Sequence, residues 1–345
     1  MAYTTIDKSS LHFNTKIYTG TDNSNAITGV GFEPSWTWIK SSTTASSALQ
    51  DAVRGNTKTV RTNSTSGEYT NNFFTSFDSD GFTVATSESD VNSDATSYAS
   101  FNWKSAGAGS SNSDGSITST VSANTTSGFS IVKYNGNSST SSTIGHGLGA
   151  VPSVIFLKNV GQTEGWVVYH KELGATHYLE LSSNAGDNSG GETVWYDTLP
   201  TSSLFTIGNS GKVNGGSSHA HVAYCFSDKQ GYSKSGSYFG NGSGTDGKFT
   251  YTGFKPAWVI IKRSDASANW RLFNNKVSGY NSDNKSLYPN LNNGFYADDE
   301  IEFYSNGFKQ FNTDGELNTN GNKFVYLAFA EAPLVGSNNV PCTAR

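Results

Sequence analysis

The stretch Gly253-Phe254-Lys255-Pro256-Ala257-Trp258-Val259-Ile260-Ile261-Lys262 decides how this chain folds. Proline has a fixed φ and no N–H, so Pro256 marks the start or edge of a strand. The aromatic and β-branched run behind it suits a pleated surface. The same design stands at Gly31-Phe32-Glu33-Pro34-Ser35-Trp36-Thr37-Trp38-Ile39-Lys40 and at Gly149-Ala150-Val151-Pro152-Ser153-Val154-Ile155-Phe156-Leu157-Lys158. In each copy the lysine follows the proline by six positions.

Further landmarks keep the same order around each copy. Upstream lie Tyr18-Thr19-Gly20, Tyr134-Asn135-Gly136 and Tyr238-Phe239-Gly240. Downstream lie the aliphatic–Asn pairs Val91-Asn92, Val213-Asn214 and Leu317-Asn318, then aromatic-rich runs at Tyr98 to Trp103, His221 to Phe226 and Phe324 to Phe329. The prolines are offset by 118 and 104 residues, which is the size of a domain and too long for a solenoid unit. Asp80-Gly81, Asn306-Gly307 and Asp314-Gly315 read as hairpin turns. Helical periodicity is absent except for Ala45 to Val53, which is long enough for two turns.

The expected fold is therefore all-β: three tandem homologous antiparallel β-sandwich domains, lectin-like or jelly-roll in character. The divisions are an N-terminal arm (1–16), domain 1 (17–104), a Ser/Gly-rich linker or loop (105–128), domain 2 (129–227), domain 3 (232–332) and a C-terminal tail (333–345). The long 105–128 tract predicts a first domain spaced away from the other two.

Composition narrows function. The 345 residues carry 15% charged and 13% aromatic side chains, with a net charge of −5, which is opposite to the habit of disordered chains. An acidic balance disfavours nonspecific nucleic-acid binding. No apolar run approaches a membrane span, and the first twenty residues lack the pattern of a secretory signal. Cys225 and Cys342 are too few for a disulfide framework or a cysteine zinc site, and Cys225 reads as a small core residue.

Candidate chemistry is thin. His219-Ala220-His221 would place two imidazoles on one face of a strand, but no third metal ligand accompanies them. His146 and His170 have no nucleophile elbow to activate. Asp78-Ser79-Asp80 and Asp298-Asp299-Glu300-Ile301-Glu302 read as solvated acidic loops, with calcium binding or glycoside hydrolysis as the sharper alternatives. The glycines of Ser237 to Gly247 lack the Gly-Lys-Ser/Thr of a phosphate loop. Trp36, Trp38, Trp103 and Trp258 fall on the repeated strands and read as core. Trp166, Trp195 and Trp270 lie outside those landmarks, beside Gly, Tyr and Asn, and are candidates for stacking on sugar rings. Leu11 and Phe13, apolar residues in the polar arm, are candidates for assembly contacts.

Three groups of residues carry a family resemblance: Gly-Phe-x-Pro-x-Trp-x-Trp-Ile-Lys, Asp51-Ala52-Val53-Arg54-Gly55, and Ser76-Phe77-Asp78-Ser79-Asp80-Gly81-Phe82. Together with the opening Met1-Ala2-Tyr3-Thr4-Thr5-Ile6-Asp7-Lys8 and the close Ala328-Phe329-Ala330-Glu331-Ala332-Pro333, they resemble repeat-containing, tail-fibre-like virion proteins of marine bacteriophages. The resemblance implies a non-enzymatic structural protein on the particle surface, a tail-fibre or spike component, to which the candidate sugar-stacking tryptophans add host-surface glycan binding as an expectation. A capsid decoration protein (head fibre or cement) is the second reading and a polysaccharide-degrading enzyme the third. Other virion proteins are the expected partners, with a homo-oligomer, a trimer favoured, and assembly in the host cytoplasm. The charge, hydropathy and motifs of the chain lead to the expectation of no cofactor, metal, nucleic acid or membrane. The chain has neither heptads nor Gly-X-Y repeats, which favours a compact appendage over a stalk. The second repeat departs from the pattern, with Gly147-Leu148-Gly149-Ala150-Val151-Pro152 in place of the Gly-Phe-x-Pro turn.

Overall fold

The structure, a computed structural model, describes residues 4–85, 88–277, 285–297 and 301–333. The fold is all-β, built from antiparallel sheets, and among the described residues the helices are single turns at Ser9–Leu11, Gly191–Val194 and Gly211–Asn214. Three large sheets share one strand order: opening strand, closing strand, lysine strand, flanking strand. In the first unit these are Phe13–Thr19, Ser97–Trp103, Trp36–Ser41 and Ala48–Asp51. In the second they are Phe129–Asn135, Ala220–Phe226, Val154–Asn159 and Val167–His170, and in the third Ser233–Phe239, Lys323–Pro333, Phe254–Arg263 and Arg271–Asn274. The register repeats as well, because Trp36 pairs with Trp103, Val154 with Phe226, and Trp258 with Phe329, each two residues after its proline. Ala45 to Val53 is not helical: Ala48–Asp51 pairs with the lysine strand, a tertiary pairing that overrides local propensity.

The central strands of every large sheet are buried on both faces. One face carries a smaller sheet over a private core, such as Ile27, Ile39, Phe74, Phe82 and Tyr98 in the first unit. The other faces meet in a single aromatic core shared by all three units. At its centre the equivalent residues Trp103, Phe226 and Phe329 form a triangle with ring centroids 6.2, 5.6 and 5.7 Å apart. Trp36 stacks on Tyr224 of the second unit at 4.3 Å. The first unit is thus not spaced away. The expected linker 105–128 contains strands Ser110–Asn112 and Ser119–Asn124, and the latter pairs with the opening strand of the second unit. A Ser/Gly-rich tract can pair in this way because an edge strand needs backbone groups more than apolar side chains.

The Tyr-x-Gly and aliphatic–Asn landmarks form one lock, made three times. The hydroxyls of Tyr18, Tyr134 and Tyr238 donate to the carbonyls of Val91, Val213 and Leu317. Asn92, Asn214 and Asn318 accept at Oδ1 from the backbone N–H of Thr21, Asn137 and Asn241. The intervening Gly20, Gly136 and Gly240 admit no side chain, since a Cβ would lie 2.1, 1.7 and 2.3 Å from a backbone oxygen of the opposing turn.

A second device joins the units. Lys40, Lys158 and Lys262 are almost wholly buried, and each donates to a carbonyl of its own following loop and to one of a neighbouring unit. Lys40 reaches Ala45 and Leu291 of the third unit. Lys158 reaches Glu164 and Thr65 of the first. Lys262 reaches Ala268 and Asn184 of the second, with a further bond to the Arg263 carbonyl. Backbone bonds repeat the direction: Ala45, Glu164 and Ala268 donate to Asn292, Thr65 and Asn184, while Phe295, Glu68 and Asp187 donate back to Ser42, Val160 and Ser264. The three interfaces therefore close a ring. Gly294, Gly67 and Gly186 let these loops approach, with a Cβ falling 2.2, 2.7 and 3.0 Å from the Ser42, Val160 and Ser264 carbonyl oxygens.

Two outcomes follow. Gly294→Ala lowers the urea midpoint well beyond Gly315→Ala, whose nearest neighbour is a side-chain oxygen 3.7 Å away, because only the former strikes backbone across a unit boundary; equal midpoints would contradict the clasp. Burial depresses all three lysines from 10.5 to about 8. Between these values the unfolded chain holds more protons than the folded one, so stability rises with pH. Burial raises Cys225 and buried tyrosines such as Tyr134, Tyr224 and Tyr232, which oppose this from about pH 9 and 10 upward. The urea midpoint therefore climbs between pH 7.5 and pH 9, and a flat or falling midpoint there would refute the lysine assignment.

Candidate functional site

The structure redistributes the residues that sequence reading singled out. Trp166, Trp195 and Trp270 are 0, 1 and 3% exposed, so none is available to a sugar. Trp166 and Trp270 are instead parts of the unit boundaries, where each indole N–H donates to a carbonyl of the preceding unit, Arg61 and Glu180, at 2.9 Å. Trp195 lies edge-on to Tyr169 in the private core of the second unit. Phe13 is no assembly contact either. It begins the opening strand and packs in the shared core against Trp103 at 4.8 Å and Phe329 at 5.1 Å. Of the supposed arm, Ile6 is also core, while Leu11 stays 44% exposed.

The ionisable candidates are spent on structure. His170 bonds the Tyr326 carbonyl of the third unit and receives the Glu172 N–H. It occupies the register position of Asp51, which accepts from Arg54 at 2.5 Å and from the Tyr224 hydroxyl at 2.8 Å across another unit boundary. His146 bonds the Thr201 carbonyl and the Leu148 N–H. His221 stacks on Tyr134 at 5.0 Å, as Phe324 stacks on Tyr238 and Tyr98 on Tyr18. Among the described residues no three His, Cys, Asp or Glu side chains gather as metal ligands would. Asp80 caps the turn before the first lysine strand, accepting from the N–H groups of Gly29 and Gly31, which hold its carboxyl below the usual range. Asp78 accepts from the Thr83 hydroxyl. Cys225 is a buried, unreactive thiol that burial pushes up. Glu302, the last acid of the second acidic run, stands on a strand, Ile301–Tyr304, and accepts from the Tyr304 hydroxyl at 2.5 Å, while Asp298, Asp299, Glu300 and Cys342 lie outside the described residues.

Burial lowers His170 and His221 to about 4. Between pH 4 and the ordinary 6.5 the unfolded chain binds these protons and the folded one does not, so stability is lost as pH falls through that window. Substituting His221→Phe, which installs the ring the third unit carries at Phe324, makes the urea midpoint fall less steeply from pH 6.5 to 4.5 than in the parent protein. An unchanged slope would show that His221 is not buried neutral.

Among the described residues, two surface clefts offer room for a ligand. One cleft, of about 350 Å³, lies over Arg61, Ser66, Gly67 and Tyr69, where Arg61 is held by Asp90 at 2.5 Å and sits over the Tyr69 ring. A larger cleft, of about 400 Å³, opens between the second and third units. Lys171 and Glu172 form its wall on the second unit, while the third supplies Lys234, Phe239, Lys248, Phe249 and Tyr251. Phe239, Phe249 and Tyr251 are 52, 40 and 53% exposed, an unusual concentration of aromatic surface. Lys234 donates to the Tyr251 carbonyl at 2.9 Å and lies 5.0 Å from its ring centroid, which fixes one side of that ring. Sequence reading passed over these residues because it weighed tryptophans alone as sugar platforms. The signal was the cluster of aromatics and lysines within 234–251.

A family model described as a domain of unknown function (DUF7483) matches residues 8–333. No curated protein and no solved structure matches the chain.

Proposed function

The chain belongs to the family described as a domain of unknown function (DUF7483), and on that premise we propose that it is a non-enzymatic structural protein displayed on the surface of a bacteriophage particle. The observation that carries this reading is the closed ring of three units. Its buried lysines, histidines and acids are committed to joining units and capping turns, which favours a rigid body over a reaction centre. Its low charge supports assembly through apolar and hydrogen-bonded contacts, which salt screens little.

A tail-fibre or spike component comes first within this reading, and a capsid decoration protein second. The compact three-sided body favours an appendage seated on another virion protein over a self-trimerising stalk. Three units about one centre inside a single chain stand where a spike would use three subunits. Mass spectrometry of purified particles of the phage that encodes the chain tests membership, with the protein expected at a fixed copy number per particle. Its absence from intact particles overturns the proposal, and its density on head or tail separates the two placements. Release of reducing sugars from host polysaccharide by the purified protein, lost on Asp298→Asn or Asp299→Asn, would favour the enzymatic reading instead.

A further inference from the structure

The three units provide an internal control, because a side chain that the fold requires recurs in all of them. The cleft between the second and third units fails that test of necessity. Lys234 stands in the register position of Asn14 and Ser130 in the sister units. Phe239 stands where they carry Thr19 and Asn135. On the smaller sheet, Phe249 and Tyr251 flank Thr250, which faces Phe308. The matching places beside Ile27 and Ile144, facing Phe82 and Phe205, hold Ala26 and Thr28 in the first unit and Thr143 and Gly145 in the second. Lys248, one residue earlier, corresponds to Asn25 and Ser142. Five departures toward rings and ammonium groups, on two strands and the residue before one of them but all on one cleft, are not explained by folding.

We infer that this cleft binds an anionic oligosaccharide, a chain of uronic-acid type. Its volume of about 400 Å³ lies in the range of ligand sites. A pyranose offers an apolar C–H face to an aromatic ring, and its carboxylate suits Lys234 and Lys248. Lys171 is paired with Asp228 at 2.5 Å, and Glu172 accepts from the Ser237 hydroxyl at 3.0 Å but keeps its charge. Lys234 and Lys248, neither ion-paired with a carboxylate among the described residues, outweigh it and leave the cleft positive within a chain of net charge −5. An acidic peptide adding as a strand is disfavoured. The edge of the opening strand is capped where Asp228 accepts from both the N–H and the hydroxyl of Ser235, at 2.8 and 3.0 Å. The inference rests on the proposed particle-surface role for where such a chain would be met, on a host envelope, but not for the site itself.

The test uses the full purified chain and calorimetric titration with oligogalacturonate, neutral maltohexaose and poly-glutamate. The variants borrow the sister residues, F249A/Y251T and K234N/K248N, so each position receives a side chain the fold already accepts; unchanged melting temperatures check this. Oligogalacturonate is expected to bind in the millimolar range or tighter, more weakly at higher salt. Each double variant is expected to weaken it at least about tenfold, and K234N/K248N to erase the preference over maltohexaose. Absence of binding, affinity untouched by the variants, or equal affinity for poly-glutamate would each overturn the inference. None of these results bears on whether the protein is found in particles, so the two proposals fail separately.

Discussion

A buried ammonium group must have its hydrogen bonds filled, and in this chain no unit fills them alone. Lys40, Lys158 and Lys262 each find one partner in their own loop and another across a boundary. Removing the neighbour would leave a desolvated cation short of an acceptor, at a cost of about 1–3 kcal/mol or more for a charged group. Because the bonds run from first unit to third, third to second and second to first, no boundary can open without exposing one of these groups. Local stability is thereby converted into a property of the whole ring.

The same constraint explains the apolar runs. A sheet with one solvated face alternates polar and apolar residues, whereas Trp36 to Ile39, Val154 to Leu157 and Trp258 to Ile261 are buried at every position. Each run packs one set of side chains under the smaller sheet of its own unit and the other set into the shared aromatic core. Trp103, Phe226 and Phe329 meet at the centre because the repeated register brings them there. The rings supply burial, and the lysines with their loops supply orientation.

Much of this was legible in the chain. The proline-to-lysine spacing located the central strands, and the Tyr-x-Gly and aliphatic–Asn pairs marked a lock whose bonds the structure displays. The boundaries between units were not legible, since their partners lie up to 251 residues apart and the glycines at 67, 186 and 294 sit in loops of unlike sequence. Trp166 and Trp270 were misread for that reason: with no visible neighbour to cover them they looked like surface. Phe13 looked like part of an arm because its core partners, Trp103, Trp258 and Phe329, come from two different units. The exposed rings at 239, 249 and 251 could have been found by comparing the repeats with one another, since conformity marks the fold and departure marks the site.

Differential scanning calorimetry tests the central claim most directly. If the lysine ring and shared core bind the units into one cooperative body, the chain melts in a single transition whose van't Hoff enthalpy equals its calorimetric enthalpy. Three units that merely touch would give separate transitions, or one broad transition with a van't Hoff enthalpy near about a third of the calorimetric value, and that result would contradict this account.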